Sequence, residues 1–252
     1  MNEFSLAGKR ALVTGAGRGL GRDIAVALAD YGADIVGFAR TRADLDALGP
    51  EIEARDRRFL GVSGSVADGA ALDALHTAVE KAFGGVDILV NNAGITAVEP
   101  ALELGRDAWN AVLDVNLSGA FFCSRLFARG MIARRFGRVI NISSVAGSVG
   151  LRNHAAYCAS KAGLEALTRV LAIEWGPAGV TVNAIAPTVV LTEMGQQVWG
   201  EPSVGDPMKS KIPIGRFGDP REVAAACVYL SSEIAGLCNG TTLTLDGGYS
   251  AL

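Results

Sequence analysis

Histidine is scarce in this chain and its cysteines are scattered. Of 252 residues only His76 and His154 are histidine, and the four cysteines (Cys123, Cys158, Cys227, Cys238) include no closely spaced pair. A zinc ribbon, a disulfide scaffold and a His-rich metal site are therefore not expected, and no metal is assigned. Neither sign of charge dominates: 23 Lys and Arg against 26 Asp and Glu give a formal net charge of −3. No basic field is available to hold nucleic acid. No apolar run is expected to approach the roughly 20 residues that cross a bilayer, so no membrane partner is expected. The start, MNEFSLAGKR, has neither the cationic nor the apolar segment of a secretory leader. The expected location is the cytoplasm. Charged residues make up 19% and hydrophobic residues 50% of the chain, a balance that argues against disorder. A chain of this length removes roughly 70–75% of its unfolded surface from water.

Glycine, in contrast, is abundant. Thirty-two glycines are nearly double the average share of about 7%. They follow no period, which excludes a collagen-like or low-complexity chain. Short β-rich runs are expected at 10–14, 34–39, 58–62, 87–91, 138–142, 181–185 and 242–245. Most are almost continuously apolar, as strands covered on both faces are. Helical patterns lie between them, near 20–31, 68–83, 103–131, 156–175 and 221–231, with Asp68 and Asp219 placed to cap two of them. This alternation predicts an α/β fold: a single-domain, doubly wound parallel sheet of seven strands with helices on both faces. Residues 188–214, with Pro202, Pro207 and Pro213, read as an irregular flap over a site.

The first strand runs into Thr14-Gly15-Ala16-Gly17-Arg18-Gly19-Leu20-Gly21, and a helical pattern follows. Glycines there permit a tight turn and close backbone approach to a pyrophosphate, favoured by the free N–H groups and the helix dipole. The position between strand and helix makes this a dinucleotide-binding candidate, with Gly15, Arg18, Gly19, Leu20 and Gly21 as contacts. The second strand ends in Gly37-Phe38-Ala39-Arg40-Thr41-Arg42, with no carboxylate at its tip to take a ribose 2′-hydroxyl. Arg40 offers a planar fork to a 2′-phosphate, Arg18 can approach the same group, and Arg42 reads as a solvated charge. NADP(H) is favoured as cofactor, and NAD(H) is left open.

A second constellation is Ser144, Tyr157 and Lys161. Tyr157 and Lys161 are four residues apart and share a helix face. Ser144 follows an apolar strand, at the strand end where open α/β sheets place ligands. A phenol with a pKa near 10 is a poor base at neutral pH, and a neighbouring ammonium lowers that pKa and makes proton exchange with an alcohol practical.

The glycine-rich turn, Asn91-Asn92-Ala93-Gly94, Asn116, Ser144 and Tyr157-Cys158-Ala159-Ser160-Lys161 resemble the short-chain dehydrogenase/reductase family, in order and over essentially the whole chain. The resemblance implies a Rossmann fold over 1–252 and an NAD(P)-dependent oxidoreductase acting on CH–OH groups. It gives Tyr157 the general acid/base role and Ser144 the orientation of the reacting oxygen. Lys161 would hold the nicotinamide ribose and depress the Tyr157 pKa, and Asn116 would hold a water linking Lys161 to solvent. Asn91, Ala93 and Gly94 would line the adenosine ribose and support the sheet; Pro187, Val190 and Thr192 would meet the carboxamide. The family's serine-to-tyrosine spacing selects Ser144 over Ser143. Family members are commonly homotetramers or homodimers, built on the helices at 103–131 and 156–175.

Three departures from the family pattern stand out. Thr188 replaces the glycine usual after Pro187, Gly64-Ser65-Val66 replaces the usual adenine-facing aspartate, and the acid of NAD-type members is missing after the second strand. Ser65, and Val66 through its backbone N–H, are the substitutes expected at the adenine. The pocket wall is expected from Ala146, Arg152, His154 and Thr188, with Trp199 of the flap as a lid. Such a polar lining suits a sugar, polyol or related small hydroxy or keto compound. A 3-oxoacyl-thioester (acyl carrier protein) reductase is the alternative within the family, and a non-catalytic nicotinamide-binding sensor is the alternative of another class.

Overall fold

The computed structural model describes residues 3–192, 195–196 and 199–251. Its strands are β1 (Arg10–Thr14), β2 (Asp34–Ala39), β3 (Phe59–Ser63), β4 (Ile88–Asn91), β5 (Gly137–Ile142), β6 (Val180–Pro187) and β7 (Thr242–Leu245). They form one parallel sheet in the order β3-β2-β1-β4-β5-β6-β7, with Val13 of β1 opposite Gly37 of β2 on one side and Val90 of β4 on the other. The chain winds outward from β1 to β3, then lays β4 against the free side of β1 and continues to β7. At such a reversal the connections leave in opposite directions and open a crevice beyond the strands' carboxyl ends.

The helices are α1 (Gly19–Asp30), α2 (Arg42–Glu53), α3 (Gly69–Phe83), α4 (Arg106–Leu113), α5 (Gly119–Arg134), α6 (Ala155–Trp175), α7 (Pro202–Lys209) and α8 (Pro220–Ser231). Successive strand residues point to opposite faces, so two apolar cores form. On one face Ile24 and Leu28 of α1 and Val223 and Cys227 of α8 pack with Val13, Ile35, Val90 and Ile185. On the other, Leu75 of α3, Phe127 and Met131 of α5 and Leu171 of α6 pack with Leu12, Val36, Leu89 and Val182. Each fully buried Leu, Ile or Val contributes about 1.5–3 kcal/mol, which favours strands that are apolar on both sides. Both expected caps form: Asp68 accepts from the Ala70 N–H at 2.9 Å, and Asp219 closes a capping box with Glu222.

Three elements differ from the sequence expectation. Residues 42–53, left between elements, form α2 despite Gly49 and Pro50 within it, because Leu45, Leu48 and Ile52 bury one helical face. The single helix expected over 103–131 is interrupted by a π-turn at Asp114–Ser118. The stretch Arg106–Arg134 is long and apolar enough, by length and composition alone, to cross a membrane. That corrects the impression of no such run; here its Cys123, Phe127 and Met131 face the second core. Finally, the flap contains α7, started by Pro202 in the first helical turn, where proline is well tolerated. Residues 193–194 and 197–198 of the expected flap lie outside the described residues.

Candidate active site

The β1–α1 turn opens a cleft of about 520 Å³ at the switch point. Gly21 cannot carry a side chain: a Cβ there would collide with the Gly15 carbonyl and the Asn92 amide, so glycine alone lets α1 start against β1 and β4. Arg18 occupies the N-cap position of α1 in an extended conformation and makes no side-chain capping hydrogen bond. The first-turn N–H groups thus have no side-chain cap and are available to an anion. Gly15, Arg18, Gly19, Leu20 and Gly21 all line the cleft, as do Arg40, Ser65, Val66, Ala93, Gly94 and Thr192. An uncapped helix start, a close-approach glycine and unobstructed walls fit a dinucleotide.

Arg18 and Arg40 are exposed at the cleft, and among the described residues neither forms an ion pair, whereas Arg42 pairs with Asp46 at 2.8 Å as a surface charge. Thr41 and Asp44 also line this end, beyond the contacts expected from the sequence. Thr41 occupies the N-cap of α2 without a side-chain capping bond, so a second helix start faces the same corner. Because α2 was not foreseen, this contribution could not be.

Other expected contacts are redistributed. Asn91 is buried and does not line the cleft: its Nδ2 donates to Ser124 Oγ and Asn141 Oδ1, both at 2.8 Å, tying β4 to α5 and β5. The next residue, Asn92, takes the cleft position and donates to the Thr14 carbonyl at 3.0 Å. Side chains alternate along a strand, which explains this one-residue shift. Pro187 ends β6 and is buried. Thr188 and Val190 line a separate cavity of about 340 Å³ with Asp246 and Gly247, on the β7 side, rather than the cofactor cleft. The Thr188 N–H donates to the Leu245 carbonyl at 3.1 Å, which anchors it to β7.

Beyond the cleft, Ser143 and Ser144 follow directly on the end of β5, and α6 lays Tyr157 and Lys161 against them. The Ser144 hydroxyl is in hydrogen-bonding reach of the Tyr157 phenol, and it also accepts from the Ala146 N–H at 3.2 Å. Ala146 is buried in that turn. Lys161 is buried, donates from Nζ to the Ile142 carbonyl at 2.7 Å and lies 5.6 Å from the centre of the Tyr157 ring. Burial pushes the Lys161 ammonium down to about 8, with Glu165 opposing. Burial raises the Tyr157 phenol above its ordinary value, and the Ser144 hydrogen bond lowers it. The expected depression of Tyr157 by Lys161 is thus not the balance found, because the ammonium is directed at a carbonyl and desolvation dominates.

Asn116 lies in the π-turn, a local bulge of the kind that recurs at functional sites. Its Oδ1 accepts from the Ile95 N–H at 2.8 Å, and its Nδ2 donates to the Ile95 carbonyl at 2.9 Å and to Ser160 Oγ at 3.0 Å. Ser160 in turn donates to the Tyr157 carbonyl at 2.7 Å. Asn116 therefore clamps the loop after Gly94 onto α6. Gly94 separates the Asn116 amide from Lys161: a Cβ there would stand 3.4 Å from Oδ1 and 3.7 Å from Nζ. His154 immediately precedes α6, with its ring edge-on to Tyr157 at 6.2 Å between centroids. Its Nδ1 is 2.7 Å from the Arg152 carbonyl, an acceptor, so Nδ1 carries a proton and is engaged there, leaving Nε2 free of that contact. The Arg152 side chain is exposed, and Trp199 packs on Phe217 at 6.0 Å.

Comparison with known proteins agrees with this geometry. A family model described as Enoyl-(Acyl carrier protein) reductase matches residues 15–250. The chain is 44% identical to D-threitol dehydrogenase of Mycolicibacterium smegmatis, over 98% of this chain and 95% of that one. It is 42% identical to L-xylulose reductase of Bos taurus, over 99% of each. A gluconate 5-dehydrogenase from Burkholderia cenocepacia, solved with NADP and tartrate, superposes with a TM-score of 0.94 at 34% identity, covering 100% of this chain and 98% of that one.

Proposed function

This chain belongs to the short-chain dehydrogenase/reductase family, and we propose that it interconverts a small polyol or sugar and its keto form with NADP(H). The observation that carries this reading is the meeting of Ser144, Tyr157 and Lys161 beside the glycine-turn cleft. The nicotinamide, when bound, supplies or accepts the hydride. The chain's own residues move the proton and hold the substrate. In oxidation the Tyr157 phenolate takes the hydroxyl proton; in reduction the phenol returns it to the carbonyl oxygen. Ser144 donates to that same oxygen. Lys161 fastens the end of β5 through Ile142 and exchanges protons at mildly alkaline pH.

For the cofactor, the Arg18 and Arg40 side chains and the uncapped start of α2 support a 2′-phosphate, while Asp44 at the same corner keeps NAD(H) the competitor. For the substrate, His154 beside Tyr157 presents an Nε2 that can hydrogen-bond a vicinal hydroxyl. The dehydrogenases and reductases to which the chain is similar are named for threitol and xylulose. The alternative, a 3-oxoacyl-thioester reductase, shares with the description of the family model, an enoyl-(acyl carrier protein) reductase, only the carrier and not the reaction. We place the protein in the cytoplasm, in keeping with four unpaired cysteine thiols. Assembly into homotetramers or homodimers would cover the outward Phe122, Val170 and Ile173 of α5 and α6.

The test is a panel of four- and five-carbon polyols and ketoses, aldonates and 3-oxoacyl thioesters, each assayed with NADP(H) and NAD(H). Turnover is expected with a polyol or ketose and NADP(H). Turnover confined to thioesters would overturn the substrate, and preference for NAD(H) would overturn the cofactor.

A further inference from the structure

Glu165 is a carboxylate that the chemistry above does not use, yet it is only 7% exposed, one turn beyond Lys161 on α6. Burying a charge is costly unless partners compensate, so its partners bear on its purpose. Its Oε1 accepts from Ser143 Oγ at 2.7 Å, and the same hydroxyl stands 3.4 Å from the Lys161 carbonyl. One serine thus links the end of β5 to the helix that carries Tyr157. The same oxygen lies close to Gly147, where a Cβ would collide with it. Glycine at 147 is what lets a carboxylate reach the turn at Val145–Gly147.

Three successive residues at this exit are fastened. The Ile142 carbonyl accepts from Lys161 Nζ at 2.7 Å. Ser143 donates its N–H to the Ile185 carbonyl at 2.7 Å and its hydroxyl to Glu165. The Ser144 carbonyl accepts from the Gly147 N–H at 2.9 Å. Lys161 and Glu165 together therefore grip the two residues immediately before the serine that faces Tyr157.

We propose that Glu165 is a positioning residue for this reaction, setting Ser144 through Ser143 while its negative charge stabilises the buried Lys161 ammonium. The inference rests on the oxidoreductase reading above. Around Glu165 the titratable groups of its own helix are Lys161, Tyr157 and Cys158 on one side and Arg169, four residues on and exposed, on the other. From β5 and the following turn it meets the Ser143 hydroxyl and the Gly147 backbone, which do not titrate. Arg106 and Asp107 of α4, Asp114 of the π-turn and Arg125 and Arg129 of α5 are exposed. Arg134 is engaged with Asp87, and Arg138 lies over Phe136. Glu165 is accordingly the charge that acts on Lys161, while Tyr157, two turns away, is governed by burial and Ser144. Without it the ammonium, which loses its proton at about 8 in wild type, loses it at lower pH, so the cationic support for a Tyr157 phenolate is already gone near neutrality. Alcohol oxidation near neutral pH then falls, and at higher pH, where Lys161 is neutral with or without Glu165, the two profiles meet.

The experiment measures kcat and KM against pH for wild type, Glu165→Gln, Ser143→Ala and Tyr157→Phe, using NADP(H) and the polyol–ketose pair that wild type turns over fastest. Glu165→Gln keeps the shape and an acceptor for Ser143 but loses the charge. It should lower oxidation kcat about threefold or more near neutral pH, with the profiles converging at alkaline pH and the cofactor KM unchanged. Ser143→Ala keeps the charge and loses the link, so kcat should fall about five- to tenfold through misplacement of Ser144, with the limb in place. A Glu165→Gln profile superimposable on wild type, or moved to lower pH, would overturn the charge role; wild-type kcat in Ser143→Ala would overturn the positioning role. Should Glu165→Gln not fold by circular dichroism, Ser143→Ala and Glu165→Asp decide, since aspartate keeps the charge but is too short to reach Ser143. Near-wild-type turnover by Tyr157→Phe would instead overturn the oxidoreductase chemistry itself, which separates the two failures.

Discussion

Lys161 and Tyr157 share one face of α6, yet the Lys161 ammonium donates to the Ile142 carbonyl at 2.7 Å and stands 5.6 Å from the centre of the tyrosine ring. The lysine fastens the strand end that carries Ser144 as much as it polarises the phenol. Tyr157, raised by burial and held by Ser144, is a protonated acid at neutral pH.

The pH dependence of the two directions follows. Oxidation needs the phenolate, so its kcat should climb with pH from about 7 towards 10. Reduction needs the phenol and should stay level through neutral pH, falling only in the alkaline range. Initial rates in both directions with NADP(H) check this; an oxidation rate independent of pH over that range would count against Tyr157 as the base.

Cofactor choice is carried by Arg40. Replacing Arg40 with alanine removes from the cleft corner a guanidinium that forms no ion pair among the described residues, and NADPH affinity should fall about ten- to a hundredfold. NADH affinity should change little, because no 2′-phosphate is there to lose a partner. Titration of both nucleotides by fluorescence reads the difference, and equal losses would remove the assignment.

Stability in acid is set in part far from the site. Asp87 accepts from Arg10 Nε at 2.8 Å and Arg10 NH2 at 2.7 Å, and Arg134 stands 3.4 Å away. Burial raises the Asp87 carboxyl, but the Arg10 hydrogen bonds and charge outweigh it, and the net value lies below the ordinary 3.8. A carboxyl lowered in the folded state stabilises the fold above its unfolded value, and that contribution is lost as pH falls through the folded value. Asp87→Asn should therefore cost about 2 kcal/mol at pH 7, with the gap to wild type closing below pH 3.8. Urea unfolding at several pH values checks it.

Much of this was legible in the sequence, for physical reasons that differ by element. β1, β4 and β6 were readable because strands covered on both faces are almost wholly apolar. Tyr157 and Lys161 were readable because helical spacing is local. α2 was not, because Gly49 and Pro50 disfavour a helix that the burial of Leu45, Leu48 and Ile52 restores. The exchange of Asn91 for Asn92 at the cleft depends on which face of β4 each residue takes, which only the register fixes. Glu165 reads as a surface residue of α6 until Ser143 and Gly147 are brought against it.

Tyr157→Phe tests the central claim most directly, since it removes one oxygen from a packed ring. Calorimetric NADPH affinity should match wild type, while turnover of the preferred polyol or ketose should drop about a thousandfold. Turnover within a few-fold of wild type would contradict the assignment of the proton-transfer step to this phenol.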